Sequence, residues 1–194
     1  MPESANPVLY IVACGGHTAS QLDVLIRRLQ HHWNVCVIAT PAALGFIDTG
    51  RLEQLTGHPV RSAYRSPDQP DPLPKADAIA VVPATFNTIN KWAHGISDTL
   101  ALGVLNEAVG LGLPIVAAPT PNAALARHPA FERSVATLRS WGVTVLYDPV
   151  NYPPPQPGTG LAATDFFPWE ALEQQIAAMR VRALGGWDVD VLAE

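Results

Sequence analysis

A cluster of short polar side chains follows an apolar segment near the middle of the chain. Thr85, Asn87 and Thr88 come shortly after residues 78–82. Thr and Asn side chains cap helix N-termini, and they also present hydroxyl and amide groups to a ligand. The apolar residues predict a buried parallel strand, which Pro83 should end because proline has no N–H for the ladder. Ligands bind at this carboxyl edge of open α/β sheets, so the cluster is either a binding site or an ordinary strand–helix connection.

A glycine turn follows the first apolar run of the chain and precedes a helical pattern over residues 19–31. Such a turn attracts phosphate, because the free N–H groups and the dipole of the helix point at the anion. The third glycine of the dinucleotide-binding fingerprint is absent. His17 either contacts a phosphate or lies exposed at the helix start, and the sequence leaves both open. The turn comprises Gly15, Gly16, His17 and Thr18.

Thr40 directly follows the second predicted strand, Asn34–Ala39. Pro41 comes next, and proline is well tolerated in the first turn of a helix. Thr40 is therefore a predicted N-cap and a second candidate donor to a phosphate.

Six apolar runs predict the strands of one sheet. Helical patterns alternate with these runs, which is typical of parallel strands joined by helices. We therefore predict an α/β fold, a Rossmann-like three-layer α/β/α arrangement with a mostly parallel sheet of about six strands. The predicted domain spans residues 1–194, with a Pro-rich flap or loop over 148–163 and a C-terminal helix over 168–184. The predicted strands cover residues 8–13, 34–39, a short run near Val60, 78–82, 114–118 and 143–146.

Composition limits the classes of function. Hydrophobic residues make up 48% and charged residues 15% of the 194-residue chain, whose net charge is −5. There is no basic run, so we do not expect nucleic-acid binding. No apolar run has the length of a membrane span and the N-terminal residues lack signal-peptide character, so we expect a cytoplasmic protein without a membrane partner. The low charged fraction suggests that other subunits cover part of the surface.

Cys14 and Cys36 are the two cysteines, and both lie at or near the ends of predicted strands. Two cysteines do not make a disulfide framework, so we expect buried, reduced thiols. No His/Cys cluster has zinc-ligand spacing, and we predict no metal site.

The motif that begins at Pro83 resembles that of a known family, the homo-oligomeric flavin-containing cysteine decarboxylases. That family includes phosphopantothenoylcysteine decarboxylase and the lantibiotic peptide decarboxylases, and its motif reads Pro-Ala-Ser-Ala-Asn-Thr-x-x-Lys-x-Ala-x-Gly-x-x-Asp-Asn-Leu. Thr85 replaces Ser and keeps the hydroxyl, whereas Phe86 replaces Ala and Thr99 replaces Asn. The matching residues are Pro83, Ala84, Asn87, Thr88, Lys91, Ala93, Gly95, Asp98 and Leu100.

The resemblance implies an FMN-binding protein, commonly a trimer with the flavin at the subunit interface, or a dodecamer of trimers. Gly15 matches the glycine of a phosphate-binding Gly-Ser turn, whereas Gly16 replaces the serine, whose hydroxyl Thr18 could supply instead. Asn122 matches an Asn whose amide binds the substrate carboxylate, and it also fits the N-cap of a helix from Ala123 onward. The implied cofactor-binding residues are Gly15, Gly16, His17, Thr18, Thr40, Pro83, Ala84, Thr85, Asn87, Thr88, Lys91 and Asp98.

Two elements of the classical members are missing. Their catalytic His precedes a segment equivalent to Lys75-Ala76-Asp77, but residues 61–74 contain no His. His58 lies about twenty residues before the strand, and we do not expect it to replace that base. The flap of several members carries a Cys that residues 148–163 lack.

Three functions follow from this resemblance. The first is an FMN-dependent decarboxylase or oxidoreductase that uses another base and acts on a small or peptide thiol or carboxylate. The second is a catalytically silent FMN-binding protein that regulates or binds a partner. The third, a flavin prenyltransferase-like enzyme, is disfavoured, because the Gly-Ala-Ser-Gly turn and Glu/Arg-rich segment that it requires are absent.

Overall fold

A single parallel sheet forms the centre of the protein in the computed structural model, which describes residues 6–66, 68–159 and 167–184. Within these residues the sheet has five strands in the order β2-β1-β3-β4-β5. The predicted fold class is confirmed. The strands are β1 Val8–Ala13, β2 Asn34–Ala39, β3 Ala78–Ala84, β4 Ile115–Pro119 and β5 Thr144–Val145.

Seven α-helices in the described residues connect and cover these strands. Short 3₁₀ helices over His17–Gln21 and Pro41–Gly45 follow β1 and β2. The α-helices are α1 Leu22–Leu29, α2 Thr49–Thr56, α3 Phe86–Ala93, α4 Leu100–Gly110, α5 Ala123–Ala126, α6 Pro129–Ser140 and α7 Trp169–Leu184.

The strands divide their side chains between two cores, because successive residues of a strand point to opposite faces. Leu9 and Ile11 pack with α1, α2 and α7 on one face. Tyr10 and Val12 pack with α3, α4 and α6 on the other. The sheet is therefore buried on both sides, which explains why its strands are apolar throughout.

The short third strand predicted near Val60 is wrong. Only one isolated parallel bridge forms there, between Ile38 and Arg61. The Arg61 N–H donates to the Val37 carbonyl at 3.1 Å, and the Ala39 N–H donates to the Arg61 carbonyl at 2.7 Å. Pro59 precedes this pair and four prolines follow over residues 67–74, and proline cannot donate to a ladder.

Pro83 does not end its strand, contrary to the prediction. β3 continues through Pro83 to Ala84, with a register irregularity against β4 between Val81 and Ala84. Although Pro83 has no N–H, its carbonyl still accepts a bond from the Cys14 N–H at 3.2 Å. This bond joins the end of β3 to the residue that follows β1.

The chain order reverses between β1 and β3, since β2 lies on one side of β1 and β3 on the other. In open parallel sheets, ligands bind outside the carboxyl ends of the strands at such a reversal. The glycine turn follows β1 there, and Thr85 follows β3.

Candidate functional site

A cleft of about 390 Å³ lies at the carboxyl ends of β1, β3 and β4. It brings together three of the predicted segments: the glycine turn, the polar cluster after β3, and Asn122. The residues that line the cleft are Gly15, Gly16, His17, Thr18, Thr85, Phe86, Asn87, Thr120, Pro121, Asn122, Leu125, Pro155, Gln156 and Gly158.

Gly15 lies where two loops approach each other closely. A Cβ at this position would lie 3.0 Å from both the Cβ and the carbonyl oxygen of Ala42. Gly16 is different, because a Cβ there would meet Pro83 Cγ at 3.5 Å and Thr120 Oγ1 at 3.8 Å, which are ordinary contacts. Gly16 therefore lines the cleft without being sterically obligatory.

His17 and Thr18 begin the 3₁₀ helix after the glycine turn. The His17 imidazole is exposed and meets the ring of Phe46 edge-on, with 5.6 Å between the ring centroids. Thr18 is buried, and it also lines the cleft. Both placements are compatible with the predicted contact between this turn and a phosphate.

Thr40 presents a buried hydroxyl with no hydrogen-bond partner. It is the N-cap residue of Pro41–Gly45, as predicted by type, but its side chain makes no capping bond. The Thr40 N–H donates to the Ala13 carbonyl at 2.8 Å, which places Thr40 beside the start of the glycine turn. An orphaned buried hydroxyl costs free energy unless a bound group supplies its partner. Thr40 itself is not among the described residues that line the cleft.

Thr85 and Thr88 form a pair of hydroxyls at the start of α3. Thr85 is the N-cap, and its Oγ1 accepts a bond from the Thr88 N–H at 3.3 Å. The two hydroxyl oxygens lie 3.0 Å apart. Asn87, between them, is exposed and lines the cleft. The polar cluster thus serves as helix cap and cleft wall together.

Asn122 caps α5, as its sequence position predicted. Its Oδ1 accepts bonds from the N–H groups of Ala124 at 3.1 Å and Leu125 at 2.9 Å. An amide has a separate NH₂ donor, so capping consumes the oxygen and leaves the nitrogen for a ligand. Asn122 can therefore hold its helix and bind an anionic group in the cleft at the same time.

Lys91 and Asp98 do not line the cleft. Their side chains form an ion pair with each other, between the last turn of α3 and the loop before α4. Thr99 caps α4, because Thr99 Oγ1 accepts a bond from the Leu102 N–H at 3.3 Å. Pro83, Ala84 and Thr88 lie just behind the cleft wall as buried residues.

The Pro-rich segment forms a second, apolar cavity of about 310 Å³ beside the cleft. The two spaces share Thr120, Pro121, Pro155 and Gln156 as lining residues. The Pro155 carbonyl accepts a bond from the Ala123 N–H at 2.8 Å, which fixes the segment against the start of α5. Residues 160–163 of the predicted flap lie outside the described residues.

The sequence did not single out several residues that line the cleft, among them Thr120, Phe86 and Gln156. Thr120 follows β4 directly, so its place at the carboxyl edge was a usable signal. Phe86 is held by an offset stack on Phe131 and an edge contact with His128, with centroid distances of 6.0 and 5.6 Å. The sequence gives no indication that Gln156 lines the cleft, because only the folded path of the Pro-rich segment brings it there.

His58 lies at the opposite edge of the sheet. Its Nε2 is 2.9 Å from Oδ1 of Asn34, the first residue of β2, so His58 is at the amino end of the strands. Cys14 and Cys36 are both buried and unbridged, as predicted. Burial raises the pKa of the Cys14 thiol, although hydrogen bonds with Thr88 and Thr85 act in the opposite direction.

The described part of the chain has neither a membrane-spanning helix nor a metal-binding cluster. None of its helices combines the length and the apolar character that a membrane crossing needs. The same residues contain no group of three or more His, Cys, Asp or Glu side chains placed to bind a metal.

Comparison with known proteins identifies the family. The chain is 30% identical over 132 residues to a probable phosphopantothenoylcysteine decarboxylase of Streptococcus mutans, covering 65% of this chain and 72% of that protein. It is 33% identical over 154 residues to the coenzyme A biosynthesis bifunctional protein CoaBC of Bacillus subtilis, covering 76% of this chain but only 37% of that protein.

A solved structure shows the same fold. The FMN-dependent cysteine decarboxylase SpaF superimposes with a TM-score of 0.65 at 24% identity, over 89% of this chain and 98% of that one. Residues 3–179 match the profile of the Flavoprotein family. The protein therefore belongs to the Flavoprotein family, as the motif around Asn87 predicted.

Proposed function

We propose that this protein is an FMN-dependent decarboxylase that oxidises a small or peptide substrate carrying a thiol and a carboxylate. The observation that carries the proposal is the placement of the Asn122 amide in one cleft with the glycine turn and the Thr85–Asn87 cluster. Family membership supports a flavin, and the related decarboxylases support the reaction class.

The residues present fit FMN. The phosphate would be held at the glycine turn by backbone N–H groups, by Thr18 and by the neighbouring Thr40 hydroxyl, which has no partner in the folded chain. Phosphate is a strong acceptor, so it would satisfy this buried donor. Thr85 and Asn87 provide hydroxyl and amide groups for the polar edge of the flavin.

The remaining groups act on the substrate. Bound FMN supplies an acceptor for the electron pair released when the substrate is oxidised. The Asn122 nitrogen donates to the substrate carboxylate and fixes its orientation, while Asn122 Oδ1 stays on the helix. Pro155 and its neighbours close one side of the cleft and limit the access of water.

His17 is the only ionisable side chain among the described residues that line the cleft. The family's usual base is missing from residues 61–74. His17 lies in the predicted phosphate turn, so we assign it to phosphate binding. The substrate proton then passes to solvent or to a group supplied by another subunit.

We also propose that the protein is a homo-oligomer built from trimers and that residues 1–194 form one flavoprotein domain. The low fraction of charged residues supports the proposal that other subunits cover part of the surface. The Lys91–Asp98 ion pair lies outside the cleft.

The first test is the absorbance spectrum of the purified protein, followed by anaerobic addition of cysteine-ended peptides and pantothenoylcysteine analogues. A yellow protein whose flavin bleaches, with release of carbon dioxide, supports the decarboxylase and identifies its substrate class. A yellow protein that never bleaches favours the silent FMN-binding protein. A colourless protein that takes up no added FMN contradicts the proposal.

A further inference from the structure

The Thr120 hydroxyl lies beside the glycine turn, although the two segments are far apart in the sequence. Thr120 directly follows β4, and it lines the cleft. A Cβ at Gly16 would lie 3.8 Å from Thr120 Oγ1. Since glycine has no Cβ, the hydroxyl next to position 16 comes from Thr120 and not from the turn itself.

The end of β3 holds Thr120 and the turn in this arrangement. The Thr120 N–H donates to the Ala84 carbonyl at 2.9 Å, and the Cys14 N–H donates to the Pro83 carbonyl at 3.2 Å. The last two carbonyls of β3 therefore bind the segment after β4 on one side and the segment after β1 on the other. Main-chain bonds thus position Thr120 beside the turn before any ligand is bound.

The fold does not use the Thr120 hydroxyl. The Thr85 hydroxyl caps α3, and Asn122 Oδ1 caps α5. Thr120 Oγ1, in contrast, makes no hydrogen bond with another described residue, and its side chain is only partly buried. A hydroxyl carries one O–H donor, so Thr120 can donate to an anion in the cleft without breaking a bond within the protein.

We propose that Thr120 donates a hydrogen bond to the phosphate of FMN and provides the side-chain hydroxyl that Gly16 lacks. This inference rests on the proposed function, in which the phosphate lies at the glycine turn. The sequence alone indicates Thr18 as a source of this hydroxyl, whereas the structure places Thr120 Oγ1 next to position 16 itself. A phosphate has several strong acceptor oxygens, so the Thr120 bond adds to those of the turn.

The test measures the preference of the flavin-free protein for FMN over riboflavin, which is FMN without its phosphate. Both dissociation constants are obtained from the quenching of flavin fluorescence on titration. Thr120→Val loses a hydrogen bond to a charged group, so we expect the preference to fall by at least about tenfold while riboflavin affinity stays within about twofold. Thr120→Ser should keep the preference. Thr137→Val is the matched control, because the Thr137 hydroxyl donates to the Arg133 carbonyl at 2.9 Å in α6, outside the cleft.

Gly16→Ser in the Thr120→Val protein is a test of rescue. Gly16 has a φ of −158°, an extended conformation that any residue adopts, and a Cβ there meets Pro83 Cγ at 3.5 Å, an ordinary contact. The added serine hydroxyl lies next to the place of the lost threonine hydroxyl. The double variant should therefore recover the preference for FMN to within about threefold of the unmodified protein, whereas Gly16→Ala in the same background should recover nothing.

The outcomes separate this inference from the proposed function. An unchanged preference in Thr120→Val overturns the inference, and so does an equal loss of FMN and riboflavin affinity, because the bond would then not be to the phosphate. A double variant with Gly16→Ser that recovers nothing, or one with Gly16→Ala that recovers as much, also overturns it. Failure of the unmodified protein to bind FMN overturns the proposed function as well.

Discussion

Replacing Thr40 with Val should change stability and cofactor affinity in opposite directions. The Thr40 hydroxyl is buried and has no partner in the folded chain. An unsatisfied buried polar group costs about 1–3 kcal/mol, and valine has nearly the same shape without that cost. Thr40→Val should therefore raise the free energy of unfolding of the FMN-free protein by about that amount, as measured by urea denaturation.

The same variant should bind FMN more weakly. A hydrogen bond to a charged group contributes about 1.5–3 kcal/mol, and each 1.4 kcal/mol is about a factor of ten in affinity. We therefore expect the dissociation constant of FMN to rise by about 10- to 100-fold, measured by the quenching of flavin fluorescence on titration. The gain in stability of the free protein and the loss of the phosphate contact have one cause.

Thr56→Val is the matched control. The Thr56 hydroxyl already donates to the Leu52 carbonyl at 2.9 Å, and Thr56 lies in α2, outside the residues that line the cleft. This variant should lose about 0.5–1.5 kcal/mol of stability and keep its FMN affinity. The reasoning fails if Thr40→Val destabilises the free protein as Thr56→Val does, or if its FMN affinity is unchanged.

Four further predictions concern the cleft, the surface and the core. Asn87→Asp should place a negative charge against the flavin and weaken FMN binding by about 1–3 kcal/mol, and unchanged flavin occupancy would refute the role of Asn87. Asn122→Asp keeps an N-cap acceptor but loses the amide donor, so helix content and FMN binding should persist while substrate-dependent bleaching falls by at least about tenfold; normal bleaching would contradict it. Lys91→Met removes an exposed ion pair and should lower stability by no more than about 1 kcal/mol, whereas a larger loss in a thermal melt, or a concentration-dependent one, would indicate an intersubunit role. Burial raises the pKa of Cys36 to about 12, so above about pH 9 the unfolded thiol loses a proton that the folded thiol retains. Stability should therefore fall as pH rises, by up to about 1.4 kcal/mol per pH unit from this group, and Cys36→Ala should flatten that slope in urea unfolding; an unaltered slope would exclude Cys36 as its origin.

The sheet was predictable because its strands are buried on both faces. Parallel strands of this kind form continuous apolar runs, and five of the six predicted runs are strands. The run near Val60 failed because the surrounding prolines limit it to one bridge. The prediction that Pro83 ends its strand was also wrong. Proline has no N–H, but the Pro83 carbonyl still accepts a hydrogen bond.

The cleft was predictable only where its residues directly follow strands. Gly15, Thr85 and Asn122 stand at or near strand ends, so the topology alone brings them to one edge. Gln156 depends on the folded path of a segment far along the chain. Whether the Thr40 hydroxyl makes a capping hydrogen bond depends on side-chain geometry that residue type cannot specify.

The bond between the Ala123 N–H and the Pro155 carbonyl has a consequence for how the protein can be redesigned. Both partners are main-chain groups, so the attachment of the Pro-rich segment to α5 does not depend on the side chain at position 155. Side chains along this segment can therefore be exchanged while the attachment stays in place. Substitutions in this segment therefore leave the residues proposed to hold the flavin unaltered.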